Sequence, residues 1–76
     1  MPLKRTEALK KFGAALAIKR KEAGLSQEAL ADRARLHPNY IGDLERGERN
    51  PTVMTLLALA EGLKCSRSDL LREPFG

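Results

Sequence analysis

A single histidine, His37, and a single cysteine, Cys65, are the only side chains of either type among 76 residues. Covalent catalysis needs a nucleophile beside a base, general acid-base catalysis needs carboxyl groups paired in a cleft, and a metal needs several converging ligands. A chain this short encloses no cleft of the required size and brings no second ligand to His37, so neither an enzyme nor a metal, cofactor or small-molecule site is expected. Cys65 cannot form an internal disulfide, and there is no signal-peptide core or apolar run of spanning length, which suits a reduced, cytoplasmic protein. The chemistry that the composition does offer is electrostatic. Lys and Arg number 14 against 10 Asp and Glu, a net charge of +4. Residues 1–24 hold seven of the basic residues and two of the acidic ones, a local +5 that leaves −1 for the rest. Such a field attracts a polyanion.

The elements that would position these charges centre on residues 26–47, SQEALADRARLHPNYIGDLERG. Ser26 suits an N-cap, and Leu30, Ala31 and Ala34 follow at helical spacing, giving about two turns. Arg35, Leu36 and His37 break the period, and Pro38 suits the first position of a new helix because it has no N–H to leave unpaired. Ile41 and Leu44 then carry the buried stripe until Gly47 stops it. Two short helices joined by such a turn cross steeply, so the second presents its N-terminal side chains while the first braces it. Before this pair, Thr6 is placed as N-cap of a helix over Glu7 to Ala23, with Leu9, Phe12, Leu16 and Ala23 on its inner face and Gly24 ending it. Arg20 falls in that inner row. A half-buried cation needs a carboxylate, and Glu45 in the second motif helix is the candidate for a structural ion pair. After the turn at Asn50-Pro51, Thr52 caps a helix from Val53 to Leu63 whose core stripe is read as Val53, Leu56, Leu57, Ala60 and Leu63. Met54 and Ala58 lie off that stripe, so the helix has apolar surface to spare. Ser66 and Asp69 resemble a short capping box opening a last helix through Arg72. The expectation is a single all-α domain over residues 1–76, with five helices, a helix-turn-helix at 26–47 and no strand.

The succession Arg20-x3-Gly24-Leu25-Ser26-Gln27-x2-Leu30-Ala31, then Tyr40-Ile41-x2-Leu44-Glu45-Arg46-Gly47, Pro51, and Leu56-Leu57-x2-Ala60-x2-Leu63 resembles the lambda-repressor-like family of helix-turn-helix DNA-binding domains. This is the Cro/C1 or xenobiotic-response-element type, and the likeness spans about residues 9–71. The resemblance implies a sequence-specific transcriptional regulator that lays the second motif helix in the major groove of double-stranded DNA. It carries His37, Asn39, Tyr40 and Asp43 over as the residues that face the bases. The Asn39 amide can pair bidentately with adenine, and Asp43 could accept from cytosine N4. His37 also suits an N-cap or a phosphate contact, and Tyr40 a backbone contact or packing on the motif. Ser26, Gln27, Arg35, Arg46, Arg49 and Asn50 fall where the family holds the DNA backbone, Gln27 also as a buttress for the recognition helix. Three positions depart from the family pattern. Arg35 stands where a glycine is common, at about 1 kcal/mol if the left-handed geometry is kept, Lys64 stands where a helix-ending glycine is common, and Gly42 offers no side chain to a base.

The resemblance extends to small stand-alone regulators, including phage repressors and the controller proteins of restriction–modification systems, which dimerise through their C-terminal helices. A homodimer on an inverted-repeat operator is therefore expected, with Met54, Leu57, Ala58, Leu71 and Phe75 at its interface and the contact surface within residues 52–76. Fold-back of the last helix and tail over the same apolar band is the alternative to dimerisation. The alternative function is a protein-binding adaptor or antitoxin-like module on the same fold. The polar face of Asn39 and Tyr40, with basic residues behind it, favours DNA over that alternative.

Overall fold

The computed structural model of the protein describes residues 4–64 and holds four α-helices there. They are α1 (Arg5–Glu22), α2 (Gln27–Ala34), α3 (Pro38–Glu45) and α4 (Val53–Leu63). The expected fifth helix from Ser66, together with Cys65, Leu71 and Phe75, lies outside the described residues. None of the described helices is long and apolar enough to cross a membrane.

The helix starts follow the capping chemistry of the sequence in three cases. The Ser26 hydroxyl accepts from the Ala29 N–H at 3.0 Å, His37 Nδ1 accepts from the Asn39 N–H at 3.1 Å, and the Thr52 hydroxyl accepts from the Thr55 N–H at 3.0 Å. Each satisfies one of the orphan donors of a first turn. The fourth start differs from the sequence reading: α1 begins at Arg5, with Lys4 as a cap that makes no side-chain bond, and Thr6 lies inside the helix. The buried residues of α1 are Phe12, Gly13, Leu16 and Arg20, all beyond its first turn, so their packing and not a capping hydroxyl holds the helix.

Three helices end by one device. The N–H two residues beyond the last turn reaches back to a carbonyl five residues earlier: Leu25 to Arg20 at 3.1 Å, Leu36 to Ala31 at 2.9 Å and Glu48 to Asp43 at 2.9 Å. This closure requires a left-handed residue in the turn. Gly24 and Gly47 supply it at φ +74° and +76°, and Arg35 supplies it at φ +58° without a glycine. The family turn is thus kept despite Arg35, and Lys64 at φ +57° likewise ends α4 in the left-handed region.

The core gathers Phe12 and Leu16 of α1, Leu30, Ala31 and Ala34 of α2, Ile41 and Leu44 of α3, and Leu59 and Ala60 of α4. Helix α3 packs on both α1 and α2, and α2 packs on α4. The α1 face is shorter than its sequence pattern suggests. Leu9 is half-buried and Ala23 is exposed, because the chain is already turning at the helix end. Helix α4 is rotated relative to the sequence reading. Its buried residues are Thr55, Leu59, Ala60 and Gly62, while Val53 is 70% exposed and Leu56, Leu57 and Leu63 are only half-buried. A helix apolar around most of its girth does not fix its own phase. The neighbours do so: Gly62 seats against Leu30 and Ala34, where an added Cβ would stand 3.0 Å from Leu30 Cδ1, and the Thr55 hydroxyl bonds to Tyr40.

Candidate nucleic-acid interface

Glu45, at the end of α3, ties three helices together. Its carboxylate accepts a bidentate pair from Arg20 of α1, Nε to Oε2 at 2.6 Å and Nη2 to Oε1 at 3.1 Å. Gln27 Nε2 of α2 adds a third bond to Oε1 at 2.9 Å. Arg20 Nη1 meanwhile donates to the Leu25 carbonyl at 2.8 Å, holding the turn between α1 and α2. The Arg20 and Glu45 side chains are 11% and 8% exposed, so this is a nearly buried ion pair with its hydrogen bonds satisfied, as expected from the sequence. The bond to Glu45 raises the Arg20 pKa above its ordinary value, against the opposing effect of burial. The same junction is tightened by Gly13. A Cβ there would stand 2.5 Å from the Glu45 carbonyl oxygen and closer still to that of Leu44, so α1 touches the backbone of α3 directly.

With its C-terminal end so fixed, α3 presents its first turn to solvent. His37 and Asn39 are exposed, and the Asn39 amide makes no hydrogen bond to another described residue. A shallow depression lined by Gln27, Pro38, Asn39, Gly42, Asp43 and Arg46 runs along this face. Gly42 forms its floor. A side chain there would meet Arg46 Nη1 at 3.1 Å and the Gln27 amide oxygen at 3.6 Å.

Most of the remaining candidates are already engaged within the protein. Ser26 spends its hydroxyl on the α2 cap, and Gln27 uses one amide hydrogen on Glu45, the buttress that the resemblance implied. The Tyr40 hydroxyl pairs with the Thr55 hydroxyl at 3.1 Å, turning the ring toward α4. Asp43 Oδ1 accepts from Arg46 Nη2 at 2.6 Å, and its other oxygen lies 3.7 Å from Arg49. Arg46 Nε also donates to Glu48 at 3.0 Å, and that bond leads the causes that raise the Arg46 pKa. The Arg49 guanidinium sits 5.2 Å over the Tyr40 ring, a cation–π contact. Arg35 and Asn50 are exposed, in the turn before α3 and beyond its end. Among the expected interface residues, Met54 is 72% exposed, while Leu57 is half-buried and Ala58 packs in part against the core. Sequence reasoning missed Glu48 and the Tyr40–Thr55 pair. The spacing of Asp43 and Arg46, three apart on a helix, was a usable signal for their contact.

Two short helices locked at a fixed angle, the second with a polar and exposed first turn and arginines behind it, define a DNA-binding helix-turn-helix module. Residues 16–70 match the helix-turn-helix family. The uncharacterized HTH-type transcriptional regulator y4dJ of Sinorhizobium fredii is 42% identical over 71 residues, 88% of this chain and 92% of that protein. The control protein C.SmaI of Serratia marcescens is 53% identical over 47 residues, covering 62% of this chain and 56% of that one. Among solved structures, the restriction–modification controller protein C.AhdI from Aeromonas hydrophila superposes with a TM-score of 0.80 at 42% identity, over 82% of this chain and 94% of its own. The chain belongs to the Cro/C1-type helix-turn-helix family of DNA-binding transcriptional regulators, whose members are not enzymes.

Proposed function

We propose that the protein controls transcription as a homodimer on an inverted-repeat operator, in the cytoplasm, with α3 in the major groove of each half-site. The observation that carries this reading is the first turn of α3: Asn39 stands exposed with its amide bonded to no other described residue, on a helix whose far end is fixed by Glu45 to α1 and α2. In this reading Asn39 is the principal base reader, with His37 and Pro38 beside it. Asp43 acts at the groove through the arginines that it holds, and Tyr40 reaches DNA as a platform for Arg49. Gln27, Arg35, Arg46, Arg49 and Asn50 face phosphates, with Ser26 shaping the N-terminus of α2, where two helix starts lie side by side. Similarity to the control protein C.SmaI and the restriction–modification controller protein C.AhdI supports a regulator of this kind. Selecting bound sequences from a random duplex pool tests the proposal. Two related half-sites in inverted orientation, about one helical turn apart, are expected. Recovery of a single half-site, or of no enriched sequence, overturns it.

A further inference from the structure

We propose that Glu48 sets the affinity of the DNA interface: together with Asp43 it occupies the edge of the Arg46 guanidinium that would grip a phosphate, so DNA must displace it to recruit Arg46. This rests on the reading of Arg46 as a backbone contact. In arginine, Nε and Nη2 lie on one edge and form the fork that holds a carboxylate or phosphate by two parallel bonds. Arg20 uses that edge in this way on Glu45. On Arg46 the same two donors are divided between two acids, Nε bonded to Glu48 at 3.0 Å and Nη2 to Asp43 at 2.6 Å. The Nη1 end lies over Gly42 of the same helix, 3.1 Å from where a Cβ of that residue would be. The fork is therefore full before DNA arrives.

Glu48 reaches this place because of how α3 ends. The left-handed Gly47 turns the chain, and the Glu48 N–H bonds to the Asp43 carbonyl at 2.9 Å, bringing residue 48 back beside residues 43 and 46. The Arg46 and Glu48 side chains are 56% and 59% exposed, so water and salt compete with their contact. A pair that weak yields to a dense row of phosphates, yet it must open for each one gripped. Glu48 accordingly lowers affinity for every sequence alike, because phosphate contacts carry no sequence information.

A double-mutant cycle on the full chain tests this, with wild type, Glu48→Gln, Arg46→Ala and the double variant titrated against a short random-sequence duplex at fixed physiological salt. With Arg46 present, Glu48→Gln should tighten binding about two- to fivefold, the range of an exposed ion pair. In the Arg46→Ala background that gain should largely vanish. An equal gain in both backgrounds would mean that Glu48 acts only through its long-range field, and would overturn the proposal. Weaker or unchanged binding by Glu48→Gln overturns it as well. Arg46→Ala binding as tightly as wild type would instead remove the backbone reading of Arg46, and the proposal with it.

Discussion

Asn39 and Arg49 are both exposed, yet they should fail differently when truncated. The Asn39 amide can satisfy adenine N6 and N7 together, so Asn39→Ala should cost about 1–3 kcal/mol on the selected operator and relax preference at one base pair. Binding to random duplex should stay unchanged. Arg49 is spread over Tyr40 and the edge of Asp43, a posture suited to a phosphate. Arg49→Ala should weaken binding to all sequences and flatten the salt dependence by about one unit of slope. Parallel titrations on operator and random DNA separate the two, and an equal loss on both for Asn39→Ala would remove its base-reading role. The types of these residues and their places along the chain were legible in the sequence. Their partners were less so. Thr55 meets Tyr40 from α4, and Glu48 meets Arg46 only because the left-handed Gly47 turns the chain back, so no helical period encodes either contact.

At the scale of the helices, the junction of α1 with α3 is where substitutions should be most severe. Glu45→Ala leaves the buried guanidinium of Arg20 without its counter-charge and Gln27 without its acceptor, at about 3–5 kcal/mol. Because the Arg20 pKa is raised, the pair's contribution from that side is fully present below the ordinary arginine range and is lost only as pH rises through the raised value. Thermal melts of wild type from neutral to mildly alkaline pH should show no loss attributable to Arg20. Gly13→Ala sets two opposing effects against each other. A helical alanine gains up to about 1 kcal/mol over glycine, but overpacking against backbone costs about 1–3 kcal/mol, and carbonyl oxygens cannot rotate aside. The melting temperature should fall. Arg35→Gly should act in the other direction, relieving about 1 kcal/mol of left-handed strain in part offset by the freer unfolded chain. The Arg20–Glu45 pair was legible because a cation in an apolar row demands a partner. The phase of α4 was not, because its apolar residues surround it and only Gly62 and Thr55, read against α2 and α3, decide which side turns inward.

For the molecule as a whole, the exposed start of α4 argues for association. Val53 and Met54 are 70% and 72% exposed, and Leu57 is half-buried next along the helix. Sedimentation at micromolar concentration should give a species above the 8.4 kDa monomer for wild type, and Met54→Lys or Leu57→Lys should return it to monomer and weaken binding to a paired site far more than to one half-site. A wild type that sediments at 8.4 kDa removes this interface. The three-way knot at Glu45 bears on something broader than stability. Since one carboxylate holds α1, α2 and α3 together from the inner side, the angle at which α3 would meet DNA in the proposed reading is decoupled from the side chains on its outer face. New operator preferences can then arise by exchanging residue 39, whose side chain neither caps a helix nor holds an arginine, on an unchanged chassis. A lineage, or a designer, can rewrite what this domain reads without having to refold it.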